Sequence, residues 1–132
     1  MTLRKQLLSI PLDILPPNRL WRIVSDKTTP LTDGNETFVL IQHMKTGVVC
    51  GYNAHGIIPM NESYRTICQF IDVPAAIKLA RIAHGMTQTD LENKLNLPHT
   101  MQLVRKWESR LLPVTRKYRK QIRETLNINL GN

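Results

Sequence analysis

The feature that most constrains the fold is a change in hydrophobic period near Val73 and Pro74. Before that point apolar residues cluster in short runs; after it they recur every three or four positions. Residues 19–25, 37–44 and 48–52 are rich in the β-branched and large apolar side chains that suit a pleated surface. Between them lie a turn-rich stretch, residues 26–36, and the tripeptide Lys45, Thr46 and Gly47. Together these predict a small antiparallel meander. Gly51, Gly56 and Pro59 predict irregular chain after it, and Tyr64, Ile67, Cys68 and Ile71 have the spacing of a short helix. A further apolar run (Leu7, Leu8, Ile10, Leu12, Ile14 and Leu15) stops at Pro16 and Pro17.

Beyond Pro74 the chain carries helix starts and stops in regular order. Pro74 suits a first helical turn, with Asp72 or Val73 as cap. Gly85 fits the position just past a helix end, where the backbone turns left-handed. Thr87 then opens another helix and Asp90, three residues on, completes a capping box, with Leu91 and Leu95 as its buried face. Pro98 falls in the next turn. His99 or Thr100 opens a third helix in which Val104, Trp107 and Leu111 share one arc, and Gln102, Lys106 and Ser109 lie opposite with Arg105 and Arg110 flanking. A fourth helix over residues 114–126 has Val114, Tyr118, Ile122 and Leu126 four apart.

The net charge of +8 is distributed unequally along the chain. Residues 1–73 hold seven Lys and Arg against six Asp and Glu, or +1; residues 74–132 hold eleven against four, or +7. Such a balance fits a polyanion-binding module joined to a nearly neutral one. The exposed face of the third helix carries an amide, which bonds adenine, and cations, which bond guanine or phosphate.

Residues 77–95 resemble the opening of the Cro/cI-type repressor helix-turn-helix. In that family an arginine near the end of helix 1 precedes a glycine, and Thr-Gln opens helix 2; here these are Arg81, Gly85, Thr87 and Gln88. A Trp-Glu pair follows in the recognition helix, matched by Trp107 and Glu108, and then a proline, matched by Pro113. The resemblance covers residues 74–126. It implies that Gln88 bonds a phosphate and that the third helix lies in the major groove, its N-terminal end on base edges. The DNA-contacting set expected is Gln88, Thr100, Gln102, Arg105, Lys106, Ser109, Arg110, Arg116 and Lys117. Arg116, Lys117, Arg119, Lys120 and Arg123 fit phosphate contact and a solvated surface equally. Three departures stand out: about two extra residues between Leu97 and Val104, Glu92 where the family has a small residue, and Asn96 in place of the turn glycine. Asn tolerates the left-handed backbone; the other two imply an altered angle between the helices.

Other chemistry finds little support. His43, Cys50, His55 and Cys68 lack the close pairs that structural zinc sites favour. No phosphate loop, nucleophile elbow or carboxylate pair is present, so neither catalysis nor a cofactor is expected. Arg4 and Lys5 before an apolar run faintly resemble a secretory signal, but prolines interrupt the run early and no cleavage site follows. No segment approaches the ~20 apolar residues of a membrane helix, and the expected setting is the cytoplasm, with both cysteines reduced. The expected architecture is α+β: a small antiparallel β-containing N-terminal domain over residues 1–73, then an all-α helix-turn-helix domain over residues 74–132. The expected function is regulation of transcription, as a repressor or autoregulator, by a homodimer on palindromic double-stranded DNA. The N-terminal domain would supply the dimer contact, a ligand site or a surface for a protein partner. One alternative is an antitoxin-like protein that neutralises a partner and autoregulates its operon. Another is an adaptor whose helical half binds protein alone.

Overall fold

The β-branched runs pair as expected, in a sheet whose longest strand is apolar on both faces. The computed structural model describes residues 4–5, 16–26, 31–33, 36–60 and 62–130; the apolar run from Leu7 to Leu15 lies outside them. The strands are β1 (Arg4–Lys5), β2 (Trp21–Ile23), β3 (Leu31–Asp33), β4 (Glu36–His43), β5 (Val49–Asn53) and β6 (Gly56–Ile58). All described pairings are antiparallel, in the order β1-β3-β4-β5-β6. β2 pairs with the end of β4, Trp21 opposite His43, on the edge that β3 shares, where Leu31 is opposite Phe38. β2 and β3 therefore behave as one interrupted strand. Phe38, Val39, Leu40 and Ile41 are all buried, the signature of a central strand covered on both sides. Buried Gln42 is satisfied by donating to the Gly47 carbonyl in the turn that joins β4 to β5.

Two stretches differ from the sequence expectation. Leu31–Asp33 is a strand rather than part of a long turn, because Leu31 and Thr32 are buried against β4. The segment after Tyr52 is not irregular: β5 returns as β6 through the two residues Ala54 and His55. Asn53 holds that turn with its side chain, accepting from the His55 amide and donating to the Thr37 carbonyl. Gly56 completes it at φ +121°, a conformation closed to other residues.

The second unit, residues 64–132, is helical. It contains α1 (Tyr64–Cys68), α2 (Val73–Ala83), α3 (Gln88–Lys94), a 3₁₀ turn (His99–Met101), α4 (Leu103–Glu108) and α5 (Arg116–Leu126). It begins at Tyr64 rather than Pro74, because α1 packs on α2 through buried Ile67 and Cys68, whose thiol donates to the Ala76 carbonyl. Ala75, Ala76 and Ala80 bring small side chains to the buried face of α2. Leu91, Leu95, Leu103, Val104, Trp107, Ile122 and Leu126 fill the rest, with Trp107 5.1 Å from the Tyr118 ring.

Helix ends in this unit repeat one device. Asp72 caps α2 by accepting from the Ala75 amide, and Thr87 and Asp90 form the reciprocal box at α3. Each long-enough helix then closes by a left-handed residue and a bond from the following amide back to the last turn. Gly85 does this for α2, Asn96 for α3, Arg110 for α4 and Asn127 for α5, with Met86, Leu97, Leu111 and Ile128 donating. Among the described residues no helix is long and apolar enough to cross a membrane.

The third predicted helix is shorter than its sequence pattern. It starts at Leu103, not at His99 or Thr100, because Gln102 is left-handed (φ 49°, ψ 44°) and separates the 3₁₀ turn from α4. It also ends early: Arg110 at φ 65° turns the chain away, so Leu111 is 64% exposed and does not share the stripe of Val104 and Trp107. Leu103 takes the buried place instead.

Candidate nucleic-acid interface

The helical unit organises its polar side chains around Glu108, at the end of α4. Arg81, near the end of α2, grips that carboxylate with two bonds, Nε to Oε2 at 2.7 Å and Nη2 to Oε1 at 2.9 Å. Its remaining arm donates to the Met86 carbonyl at 2.9 Å, in the turn before α3. Gln88, the first residue of α3, donates to the same carboxylate at 3.1 Å. Both partners of the ion pair are nearly buried, at 10% and 5% side-chain exposure. Removing one partner of such a pair typically costs about 3–5 kcal/mol, because the other charge is left desolvated. Three helices are thus fixed at one point, and the angle between α3 and α4 with them. Lys78 adds to this basic cluster: burial holds its amine below the usual lysine range, Arg81 and Arg110 push the same way, and Glu108 opposes them.

Next to this joint a groove of about 300 Å³ opens between α3 and α4, lined by Gln88, Thr89, Glu92, His99, Gln102 and Arg105. It brings together three residues that the sequence assigned to DNA: Gln88, Gln102 and Arg105. Gln102 stands at the N-cap position of α4, and its Oε1 accepts from Arg105 Nε at 3.0 Å, so amide and guanidinium are presented side by side. Gln102 is exposed as expected, although it precedes the helix rather than lying on its outer face.

The remaining expected residues are arranged as follows. Thr100 is exposed in the 3₁₀ turn beside the groove. Lys106 is half-buried and Ser109 is exposed, its hydroxyl donating to the Lys106 carbonyl. Arg110 donates from Nη2 alone to both carboxylate oxygens of Asp72 at 2.7 Å, which ties it to the cap of α2. Arg116 and Lys117 are exposed in the first turn of α5, with the Lys117 ammonium 5.6 Å from the centre of the Tyr118 ring. Gln88 reaches the groove, but its amide nitrogen serves Glu108.

Two features were not read from the sequence as parts of the site. Glu92 is buried, and its Oε1 lies 3.3 Å from His99 Nδ1. Both carried a signal: Glu92 stood where the resemblance calls for a small residue, and His99 lies in the extended turn. The Arg81–Glu108 pair was present as two separate motif positions. Of the residues weighed for zinc, His43 Nδ1 accepts from the Lys45 and Thr46 amides at 3.2 Å and its ring stands edge-on to Trp21, while Cys68 is core. No group of three metal-ligating side chains occurs among the described residues.

Compared with protein families, characterised proteins and solved structures, the chain shows no significant match.

Proposed function

We propose that residues 64–132 form a helix-turn-helix module that binds double-stranded DNA, and that the chain regulates transcription as a homodimer. The observation that carries this reading is the groove between α3 and α4. An exposed amide and guanidinium stand there at the start of α4, beside a joint that fixes that helix against α2 and α3. A base-reading element must be held rigidly if a bidentate contact is to discriminate. The charge supports the same reading: the unit holds twelve Lys and Arg against five Asp and Glu, or +7 of the chain's +8. The likeness of Arg81, Gly85, Thr87, Gln88, Trp107 and Glu108 to the Cro/cI-type pattern adds a third support. In this reading α4 enters the major groove, Gln102 and Arg105 meet base edges, and Arg116 and Lys117 reach phosphates.

A six-residue helix is a small reading element. Single DNA-binding modules bury about 600–1,000 Å², the low end for specific complexes, so a second half-site supplies the rest of the affinity. Selection of bound sequences from a random DNA pool by the full chain tests the proposal. A palindromic consensus is expected. A consensus without twofold symmetry would remove the dimer, and failure to retain any duplex at low salt would remove DNA.

A further inference from the structure

We propose that His99 is a DNA phosphate contact whose strength is set by protonation, with Glu92 as the residue that positions it. The proposal rests on the helix-turn-helix reading and adds a residue and a form of regulation to it. His99 lies in the groove with Gln88, Gln102 and Arg105, and its side chain is 56% exposed, whereas Glu92 beneath it is 7% exposed. A carboxylate only accepts, so the 3.3 Å contact places the hydrogen of the neutral imidazole on Nδ1. Nε2 is then left as an acceptor. An acceptor facing a phosphate oxygen is repelled, and the Glu92 charge behind it adds to the repulsion.

Adding one proton reverses both effects. The imidazolium donates from Nε2 to the phosphate while Nδ1 stays bonded to Glu92, whose charge is now balanced. The charged groups lining the groove with His99 are Glu92 from α3 and Arg105 from α4. Glu92 is in direct contact, whereas Arg105 Nε is bonded to Gln102. The sign follows from linkage. A phosphate contact favours the protonated ring, so by reciprocity the proton strengthens the contact and DNA affinity is higher at the more acidic pH. The contact is to backbone, so the effect is the same for every sequence. The same geometry explains why an acidic residue is accommodated at position 92 beside an extended turn: it is the buried anchor of His99.

The test uses the full chain and a random-sequence 30-base-pair DNA duplex, titrated at pH 6 and pH 8 at one ionic strength. The wild type is expected to bind about tenfold more tightly per half-site at pH 6, the gain of a charge-assisted hydrogen bond that the neutral ring cannot make. His99→Gln should lose that gain, and His84→Gln should keep it. Glu92→Gln should bind more tightly than the wild type at pH 8, because a buried anion has left the groove. A wild type that binds equally at both pH values, or a His99→Gln variant that retains the gain, overturns the inference and leaves the DNA reading standing. A wild type that binds no duplex at either pH overturns both.

Discussion

Gln102 carries the narrowest part of the functional argument, because its backbone and its side chain make separate demands. The left-handed backbone costs a residue with a Cβ about 1–2 kcal/mol, a cost glycine escapes. Glycine in turn gives up roughly 0.5–1 kcal/mol of extra freedom in the unfolded chain. The two nearly cancel, so Gln102→Gly is expected to change stability by no more than about 1 kcal/mol. The same substitution removes the amide that faces the groove and frees Arg105 from its partner. Loss of a bidentate base contact costs about 1–3 kcal/mol and relaxes preference at one base pair per half-site. Urea denaturation and a panel of single-base variants of a selected site measure the two effects separately. A uniform loss over the panel would move Gln102 to the backbone, and no loss would move the reading surface elsewhere. Arg110 presents the contrasting case: also left-handed, it is held in both directions of the argument, by its place in the helix stop and by its two bonds to Asp72.

At the scale of the element, α4 is too short to persist without its packing, since an isolated helix of this length does not offset its nucleation cost. Trp107, 1% exposed, is its anchor. Trp107→Ala is expected to cost about 3–5 kcal/mol, with DNA binding lost as a consequence of unfolding. Leu111→Ala should leave the thermal midpoint nearly unchanged, since Leu111 lies past the helix stop. Equal destabilisation by the two variants would restore the longer helix. The start of α3 makes a second prediction. Thr87, through its amide and hydroxyl, holds the exposed Asp90 carboxyl below the usual carboxylate range. A lowered folded value means that the contribution is fully present above the ordinary Asp range and is lost as pH falls through the folded value. Stability measured from pH 6 down to pH 2 should therefore fall less steeply in Asp90→Asn than in the wild type; parallel curves would show that the box contributes nothing. These elements also show what was legible in the sequence. Caps and stops at Asp72, Gly85, Thr87, Asp90 and Asn96 were readable because each is a local hydrogen-bonding or backbone preference. Arg110 was not, because arginine has no preference for the left-handed region and is placed there by the chain around it. The β5–β6 turn was hidden for a related reason: Asn53 acts through its side chain from outside the two turn residues, with no Asn-Gly signal. The groove was half legible, with Gln88, Gln102 and Arg105 named from helical phase and resemblance. Glu92 and His99 appeared only as departures, since their pairing spans a turn whose path the sequence did not define.

At the scale of the whole chain, the division at Ser63 and Tyr64 separates a sheet that carries +1 from helices that carry +7. If the helical unit alone meets DNA, the unit over residues 64–132 should bind by itself. If the sheet unit contributes dimerisation rather than phosphate contacts, the isolated helical unit should bind as a monomer. Counterion release makes this a quantitative distinction, because the slope of log affinity against log salt is about −0.9 for each phosphate neutralised. A dimer making roughly six to ten phosphate contacts loses about 10³ to 10⁵ in affinity between roughly 50 and 200 mM salt. One half-site makes half those contacts, so the isolated unit should show about half the slope of the full chain as well as lower affinity at every salt. Fluorescence anisotropy on a selected duplex, with both proteins titrated across that range at fixed pH, measures the two slopes. Equal slopes would mean that the helical unit pairs without the sheet. A flat response from the full chain would show that its basic surface meets protein instead. Retention of the affinity by residues 1–63 alone would place the DNA-binding surface on the sheet.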